Sequence, residues 1–313
     1  MSPENPKKPE LEAEYHDPPM TLWDHLGELR KRLFISILAL AVCSAIAGVF
    51  SDKILGYLAV PFVEAWHAQN IPGQPMLHFQ TPAAGFFAYF ELSILAGLAM
   101  ASPILFLELW LFIAPGLYAK EKRFVIPFVV ASTALFVGGG YFGWRLVFPV
   151  AFKYLLSFSG QIQEDAAGLV VSPTVMMGDY ITFVTRMLLG FGIVFQVPLI
   201  ALFLSLAGVI NYLHLIRFSR WFIVAAFVVA AILTPSPDWT SQVMMAVPLV
   251  ALYGLSILLA YFFGKPPTQE QRDAYKAKKQ RDREEREAER KRKREEKEAA
   301  KKEKQKEKET GSE

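Results

Sequence analysis

Residues 33–50 read LFISILALAVCSAIAGVF, a stretch of eighteen residues without a charged side chain. A helix needs about 20 predominantly apolar residues to cross the roughly 30 Å hydrocarbon core of a bilayer. The residues before this stretch are polar and rich in proline, and no cleavable signal peptide is expected among them. The stretch therefore predicts the first transmembrane helix of the chain.

Five more stretches extend this pattern. Three of them are uncharged or nearly so over a similar length: Phe124–Trp144, Met187–Ile210 and Val243–Phe263. Residues 84–113 form a longer run with a carboxylate near each end, Glu91 and Glu108, and we interpret it as one span. The run Trp221–Leu233 would measure only about 20 Å as a helix and is the weakest candidate. The sequence thus predicts an all-α integral membrane protein with six transmembrane helices.

Positive charge sets the orientation of the spans. Lys and Arg are frequent in the N-terminal segment, in residues 114–123 and 208–220, and in the C-terminal tail. They are sparse in the connections 51–83, 151–178 and 234–242. Because cytoplasmic loops carry the excess of Lys and Arg, both termini are predicted to lie in the cytoplasm. Residues 221–263 then form a tight hairpin of two short helices that turns at 234–238.

Charged residues are concentrated outside the membrane region. Residues 264–313 contain 19 Lys or Arg and 14 Asp or Glu, which leaves 14 and 16 for the first 263 residues. The first 263 residues are therefore so rich in apolar side chains that a soluble globular enzyme is excluded. We expect a cytoplasmic N-terminal segment (1–32), a membrane domain (33–263) and a charged cytoplasmic tail (264–313). The tail's alternating charges favour a solvated helix or disorder, with attraction to anionic lipid as the alternative.

Proline recurs within or at the ends of the spans, at positions 103, 127, 149, 198 and 248. Membrane helices tolerate proline because neighbouring groups satisfy the freed carbonyls. The alternative is that the prolines kink the helices and curve the bundle into a concave surface. In the long loop 51–83, residues 54–67 are amphipathic and predict a short surface helix around Pro61.

No constellation of catalytic or metal-binding residues is visible. The five histidines are scattered, and none has metal-ligand spacing with another His or with Cys. Neither a phosphate-binding loop nor a serine-nucleophile elbow occurs, and Cys43 is expected to be a small packing residue. We therefore expect no enzymatic activity, no cofactor, no metal and no nucleic-acid partner. Any work must then be driven by a partner or by the membrane potential.

Two cytoplasmic segments place one acid among several bases. In HLGELRKRL (25–33) the acid is Glu28, which orientation does not require and which pairing with Arg32 at i,i+4 would also explain. In the segment 114–123 the acid is Glu121. Just upstream, Trp110 and Phe112 suit the membrane interface, and an aromatic belt would also account for them.

Two further polar residues lie in or near the spans. Gln196 is at the middle of the fourth span, where a polar side chain must face protein or water. Interhelical hydrogen bonding is its simplest explanation. Asp238 lies in the outer turn of the hairpin and could be an ordinary turn residue.

Together these segments resemble the TatC family, the large membrane subunit of the twin-arginine protein translocase. The matching segments are HLGELRKR (25–32), WLFIAPGLY (110–118) with Glu121, FP (148–149), FGIVFQVP (191–198), and LTP (233–235) with Asp238 and Gln242. The resemblance covers about residues 20–263 and leaves the tail outside.

The resemblance implies a receptor in the bacterial inner membrane that binds signal peptides bearing paired arginines at its cytoplasmic face. It also implies single-span partners of the TatA and TatB type, contact with membrane lipid, self-association, and transport of folded proteins driven by the proton-motive force. By matching position, Glu28 and Glu121 are the signal-binding acids, and they are supported by Arg30, Trp110 and Phe112.

Other matching positions concern the outer face and the membrane interior. Pro61, Asp238 and Gln242 fall at outer-face or partner-contact positions of the family. Gln196 departs from relatives that have glutamate there, which removes a titratable proton but leaves hydrogen bonding.

A secondary transporter or channel for a small solute is the alternative function. Such a protein needs ionisable groups along a path through the middle of the membrane. Glu91, Glu108 and Arg186 lie toward the ends of spans, and only Gln196 is central, so this path is poorly supplied. A structural scaffold without a ligand would leave Glu28 and Glu121 unexplained.

Overall fold

A computed structural model describes residues 22–113, 125–161, 170–233 and 239–269, together with a subset of residues 271–291. The first part contains α1 (Leu22–Val49), α2 (Ser51–Leu58), α3 (Val60–Ala68), β1 (Leu77–His78) and α4 (Pro82–Ile113). There follow α5 (Val125–Phe142), a π-helical turn (Gly143–Val147), α6 (Phe148–Leu156), β2 (Gly160–Gln161), β3 (Val170–Val171) and β4 (Val175–Met176). The last part contains α7 (Met177–Val194), α8 (Val197–Ala207), α9 (Tyr212–Leu233) and α10 (Trp239–Phe263).

The six predicted spans are confirmed. In the part of the chain that the structure describes, six helical segments are long and apolar enough to cross a membrane: Trp23–Val49, Pro82–Ile113, Val125–Leu156, Met177–Ala207, Tyr212–Leu233 and Gln242–Phe263. The two compact units of the described chain comprise residues up to 137 with 159–185, and residues 138–158 with those from 186 onward.

In the first unit, α1 and α4 lie antiparallel and approach closely through small residues. A Cβ added at Gly97 would lie 2.5 Å from the Cα of Ser44, so only glycine allows this spacing. At the end of α1 the added Cβ of Gly48 would meet Ser93 Oγ at 3.4 Å. Contacts between small residues are the usual way in which membrane helices pack, because the hydrophobic effect gives no net attraction between helices in lipid.

The loop between α1 and α4 is also ordered. Helices α2 and α3 cover the region of the predicted surface helix, and the side chains of Pro61, Phe62 and Trp66 are buried. Leu77 of β1 pairs with Val175 of β4 in a parallel ladder. The Tyr180 hydroxyl donates to the Leu58 carbonyl at 3.0 Å. These bonds fasten the loop to the start of α7.

In the second unit, glycines and aromatic rings form the helix contacts. A Cβ at Gly139 would lie 2.8 Å from the Phe191 carbonyl oxygen, so this part of the third span packs tightly on α7. Phe222 of α9 stacks on Tyr253 of α10 with ring centroids 4.0 Å apart. The Tyr253 hydroxyl donates to the Leu215 carbonyl at 2.7 Å.

The prediction that the hairpin consists of two short helices is wrong. Helix α9 has 22 residues, about 33 Å, and α10 has 25 residues. The uncharged run begins only at Trp221, but the helix starts at Tyr212 and includes Arg217 and Arg220. Long basic side chains can reach the interface from a helix end, so charge did not mark where this helix begins.

Prolines coincide with helix irregularities at two of the five positions. The π-helical turn immediately precedes α6, whose first turn contains Pro149, and the break at residues 195–196 precedes Pro198. Helices α4 and α10 continue through Pro103 and Pro248, and Pro127 lies in the first turn of α5. Proline is thus both tolerated and associated with interruptions in this chain.

The start of the tail docks on the chain. The backbone N–H of Lys265 donates to the Ser205 carbonyl at 3.2 Å, and Asn211 Nδ2 donates to Gln271 Oε1 at 2.9 Å. The described residues between 271 and 291 are helical and mostly exposed, and Arg283 pairs with Glu287 at 3.3 Å. The sequence left helix or disorder open for the tail, and the described residues from 271 onward are helical. The contacts of Lys265 and Gln271 with Ser205 and Asn211 were not predicted.

Candidate functional site

The first turns of α1 and the last turns of α4 lie side by side because the two helices run antiparallel. His25 of α1 stacks on Phe112 of α4, with ring centroids 4.5 Å apart and planes inclined by 22°. Two turns further into α1, Arg32 meets Glu108 of α4. The helix pair therefore brings charged residues from both helices to one end of the first unit.

Arg32 lies between two carboxylates. Its Nε donates to Glu28 Oε1 at 2.9 Å, and its Nη2 donates to the same oxygen. Its Nη1 donates to Glu108 Oε2 at 3.1 Å. The three side chains are 21%, 19% and 12% exposed for Arg32, Glu28 and Glu108, so the cluster is partly desolvated. Charge-assisted hydrogen bonds are stronger than neutral ones, and partial burial strengthens them further.

This cluster has spare capacity to accept a donor. Glu28 Oε2 is shielded from solvent and has no hydrogen-bond partner among the described residues. Two carboxylates share a single guanidinium, so the three groups carry one formal negative charge in excess. A shielded carboxylate oxygen without a donor costs free energy. The arrangement can therefore bind a further cationic donor, and a guanidinium matches a carboxylate best because of its planar fork.

Pairing of Glu28 with Arg32 was an explicit alternative at the sequence level, and the structure contains that pair. Glu108 was not predicted to take part. Its only signal was a carboxylate near the end of an otherwise apolar helix, where an acid requires a partner. Which helix supplies that partner depends on the register of α1 against α4, and a single sequence does not specify it.

The remaining predicted site residues of these helices occupy different environments. Arg30 is exposed, and Phe112 is half-buried against His25. Trp110 is buried, packs on Phe128 at 4.9 Å, and donates from Nε1 to Ser132 Oγ at 2.9 Å. The indole of Trp110 thus belongs to the interior of the unit, whereas the ring of Phe112 is accessible.

Two predicted residues, Glu121 and Asp238, lie outside the described residues. Pro61 is buried at the first turn of α3, and Gln242 is half-buried near the start of α10. Pro61 belongs to the first unit, with the Arg32 cluster, and Gln242 belongs to the second.

Gln196 lies at the break between α7 and α8. Its side chain is 9% exposed, and its Nε2 donates to the Gly192 carbonyl at 3.5 Å. The amide therefore faces protein, as a polar group at this depth requires. In the first unit Thr182 Oγ1 donates to Glu91 Oε2 at 3.1 Å, which gives that intramembrane acid a neutral partner.

Among the described residues, no group of three His, Cys, Asp or Glu side chains could hold a metal ion. The chemistry of the Arg32 cluster is thus that of ion pairing and hydrogen bonding between carboxylates and guanidinium groups.

Comparison with known proteins identifies a family over most of the chain. The family model described as Sec-independent protein translocase protein (TatC) matches residues 24–248. The relative from Desulforapulum autotrophicum, named Sec-independent protein translocase protein TatC, is 39% identical over 251 residues, which are 80% of this chain and 88% of that protein. The relative of the same name from Aquifex aeolicus is 37% identical over 258 residues, 82% of this chain and 100% of that protein.

Two solved structures are similar to the fold. One, described as the twin arginine translocase receptor TatC, has a TM-score of 0.64 and 37% identity and covers 75% of this chain and 97% of its own. The second, the same receptor in DDM, has a TM-score of 0.65 and 36% identity, with 76% and 100% covered.

Proposed function

The chain belongs to the TatC family of Sec-independent protein translocase components, and from this premise we propose that it captures signal peptides bearing paired arginines at the end where α1 begins. The chain is a multi-pass membrane protein and a transport component. What is proposed is which residues bind the peptide and with which partners the chain works.

The observation that carries the proposal is the Arg32 cluster. Glu28 already accepts two N–H groups from a guanidinium, and its second oxygen is shielded and unpaired among the described residues. A site that holds one guanidinium with an excess of negative charge is suited to a second one. In the proposal Glu121 contributes another carboxylate and completes the pair of acids for two arginines.

The other predicted residues have supporting roles. Phe112, stacked on His25, offers an accessible ring beside the acids, and Arg30 is exposed on the same end of α1. Trp110 acts from the interior, because its hydrogen bond to Ser132 fastens the end of α4 to α5. Pro61, Asp238, Gln242 and Gln196 would serve the outer face, the partner contacts and the intramembrane hydrogen bonding.

In the same proposal the site faces the cytoplasm of a bacterium, with the chain in its inner membrane. Single-span proteins of the TatA and TatB type assemble with it, and the proton-motive force drives folded cargo across. The excess of Lys and Arg in the loops on this side supports the orientation.

Photocrosslinking tests the placement of the signal peptide. A photoreactive amino acid is placed at position 119, two residues before Glu121, so that the proposed acid stays in place, and another at exposed Glu64 of α3 as a control on the other side. We expect position 119 to crosslink a signal peptide with paired arginines, and to crosslink its Lys-Lys version much less. Equal crosslinking of both peptides at 119, or stronger crosslinking at 64, would overturn the proposal.

A further inference from the structure

Arg32 already occupies the carboxylate that a ligand's arginine would use. Both its Nε and its Nη2 donate to Glu28 Oε1, so an incoming guanidinium cannot use that oxygen fully while Arg32 stays in place. The internal guanidinium is therefore a competitor for Oε1 of Glu28, which a ligand's guanidinium needs in addition to Oε2 if it is to bind both carboxylate oxygens.

Glu108 contacts the same guanidinium from the opposite side. Its Oε2 accepts from Arg32 Nη1, a nitrogen that makes no bond to Glu28 among the described contacts. Arg32 can thus release Glu28 and keep its bond to Glu108. At 12% exposure Glu108 is the most shielded of the three side chains, so its carboxylate is the least accessible to a ligand.

Resting on the proposed function, we propose that Glu108 is a positioning residue that holds Arg32 when a ligand's guanidinium displaces it from Glu28. Displacing a partly buried guanidinium without a remaining partner would leave an uncompensated charge, which is strongly unfavourable. Glu108 removes that cost because Arg32 retains one charge-assisted bond throughout. The exchange replaces one guanidinium on Glu28 by another and lowers the number of ion pairs made by Arg32 from two to one.

Two substitutions should change affinity in opposite directions. Arg32→Gln removes the competitor, and the affinity for a twin-arginine signal peptide should rise. Glu108→Gln leaves Arg32 dependent on Glu28, and the affinity should fall by about tenfold, the effect of one charge-assisted hydrogen bond. Glu108→Asp retains the carboxylate and should recover part of the loss.

The decisive measurement is the effect of Glu108→Gln in the Arg32→Gln background. A labelled signal peptide is titrated against the full chain in nanodiscs, and thermal unfolding is recorded for each variant. Because Glu108 acts through Arg32, the loss should disappear when Arg32 is already absent. A merely structural role of Glu108 would lower the unfolding temperature in both backgrounds instead.

Two results would overturn the inference. One is an equal loss of affinity from Glu108→Gln in both backgrounds, which would mean that Glu108 contacts the peptide directly. The other is weaker binding by Arg32→Gln, which would make Arg32 a supporting residue. If Arg32→Gln does not fold, Arg32→Met carries the same test, because methionine keeps much of the aliphatic stem and has neither a charge nor a strong donor.

Failure of the proposed function would look different. The unsubstituted chain would then bind twin-arginine and Lys-Lys peptides equally, before any substitution of Glu108 or Arg32 is compared.

Discussion

Two side-chain oxygens of helix α1, Ser44 Oγ and Glu28 Oε2, are shielded from solvent and have no hydrogen-bond partner among the described residues. Their surroundings differ. Ser44 Oγ lies in the tight contact with Gly97 of α4, where a small side chain lets the helices approach. Glu28 Oε2 lies beside Arg32 and Glu108, with an excess of negative charge. The first unpaired atom is a consequence of close packing. The second atom can bind a ligand, because a charged acceptor attracts a donor from outside.

The largest expected effect is at the tight contact. Gly97→Ala would place a Cβ 2.5 Å from the Cα of Ser44, so the backbones of α1 and α4 would have to separate. We expect a loss of stability at the upper end of the roughly 1–3 kcal/mol typical of overpacking. Thermal unfolding in detergent measures it. Gly138→Ala in α5 is the matched control, since nothing lies within 4 Å of its added Cβ; equal unfolding temperatures would refute the contact.

A smaller effect is expected at Trp110, which is buried near the end of α4. Trp110→Phe keeps an aromatic ring but removes the N–H that donates to Ser132 at 2.9 Å. The free energy of unfolding should fall by about 1 kcal/mol, because one hydrogen bond is lost. Movement of the end of α4 should then account for at least part of any loss of peptide binding. Thermal unfolding and peptide titration are measured on the same samples. Weaker peptide binding at unchanged stability would mean that the indole contacts the ligand itself.

Ser44→Ala removes the first of the two oxygens. Removing a hydroxyl that has no partner among the described residues should leave stability unchanged or raise it slightly, by less than about 1 kcal/mol. Peptide binding should not change. A marked loss of stability would show that Ser44 Oγ does bond within the membrane domain, and the contrast with Glu28 would then fail.

The smallest effect is expected from the tail, which is remote in sequence from both oxygens. Deletion of residues 273–313 retains Gln271 and its bond to Asn211, and should leave both stability and peptide binding unchanged. Deletion from residue 268 removes this bond and should cost about 1 kcal/mol or less. Unfolding curves of the two truncations test this, and loss of signal-peptide binding by the shorter deletion would reveal a receptor role of the tail.

The spans were predictable because long uncharged runs have few alternatives to a membrane helix. The ends of the helices were less predictable. Helix α9 begins at Tyr212 and includes Arg217 and Arg220, whereas the uncharged run begins nine residues later, at Trp221. The helix irregularities at Gly143–Val147 and at residues 195–196 depend on neighbouring helices as well as on nearby prolines. The proline positions alone therefore do not show that the helices continue through Pro103 and Pro248 but are interrupted near Pro149 and Pro198.

The site was predictable in part. Glu28 stood out because orientation does not require an acid among bases, and Arg32 was identified as its partner at i,i+4. Glu108 is 76 residues from Arg32 in sequence, and only the antiparallel register of α1 and α4 brings the two together. The position of Trp110 at the end of a span suggests that it is interfacial; its burial depends on packing against the next span, where Ser132 accepts its N–H.

In the proposed site Glu28 binds an arginine of the signal peptide, and a peptide–protein mutant cycle measures this pair. Affinities of the unsubstituted chain and of Glu28→Gln are measured for the Arg-Arg peptide and for its Lys-Lys version, with Glu64→Gln as the control. The account predicts that Glu28→Gln weakens binding of the Arg-Arg peptide by about 10- to 150-fold and has much less effect on the Lys-Lys peptide. Equal loss for both peptides, or no loss for either, would contradict it.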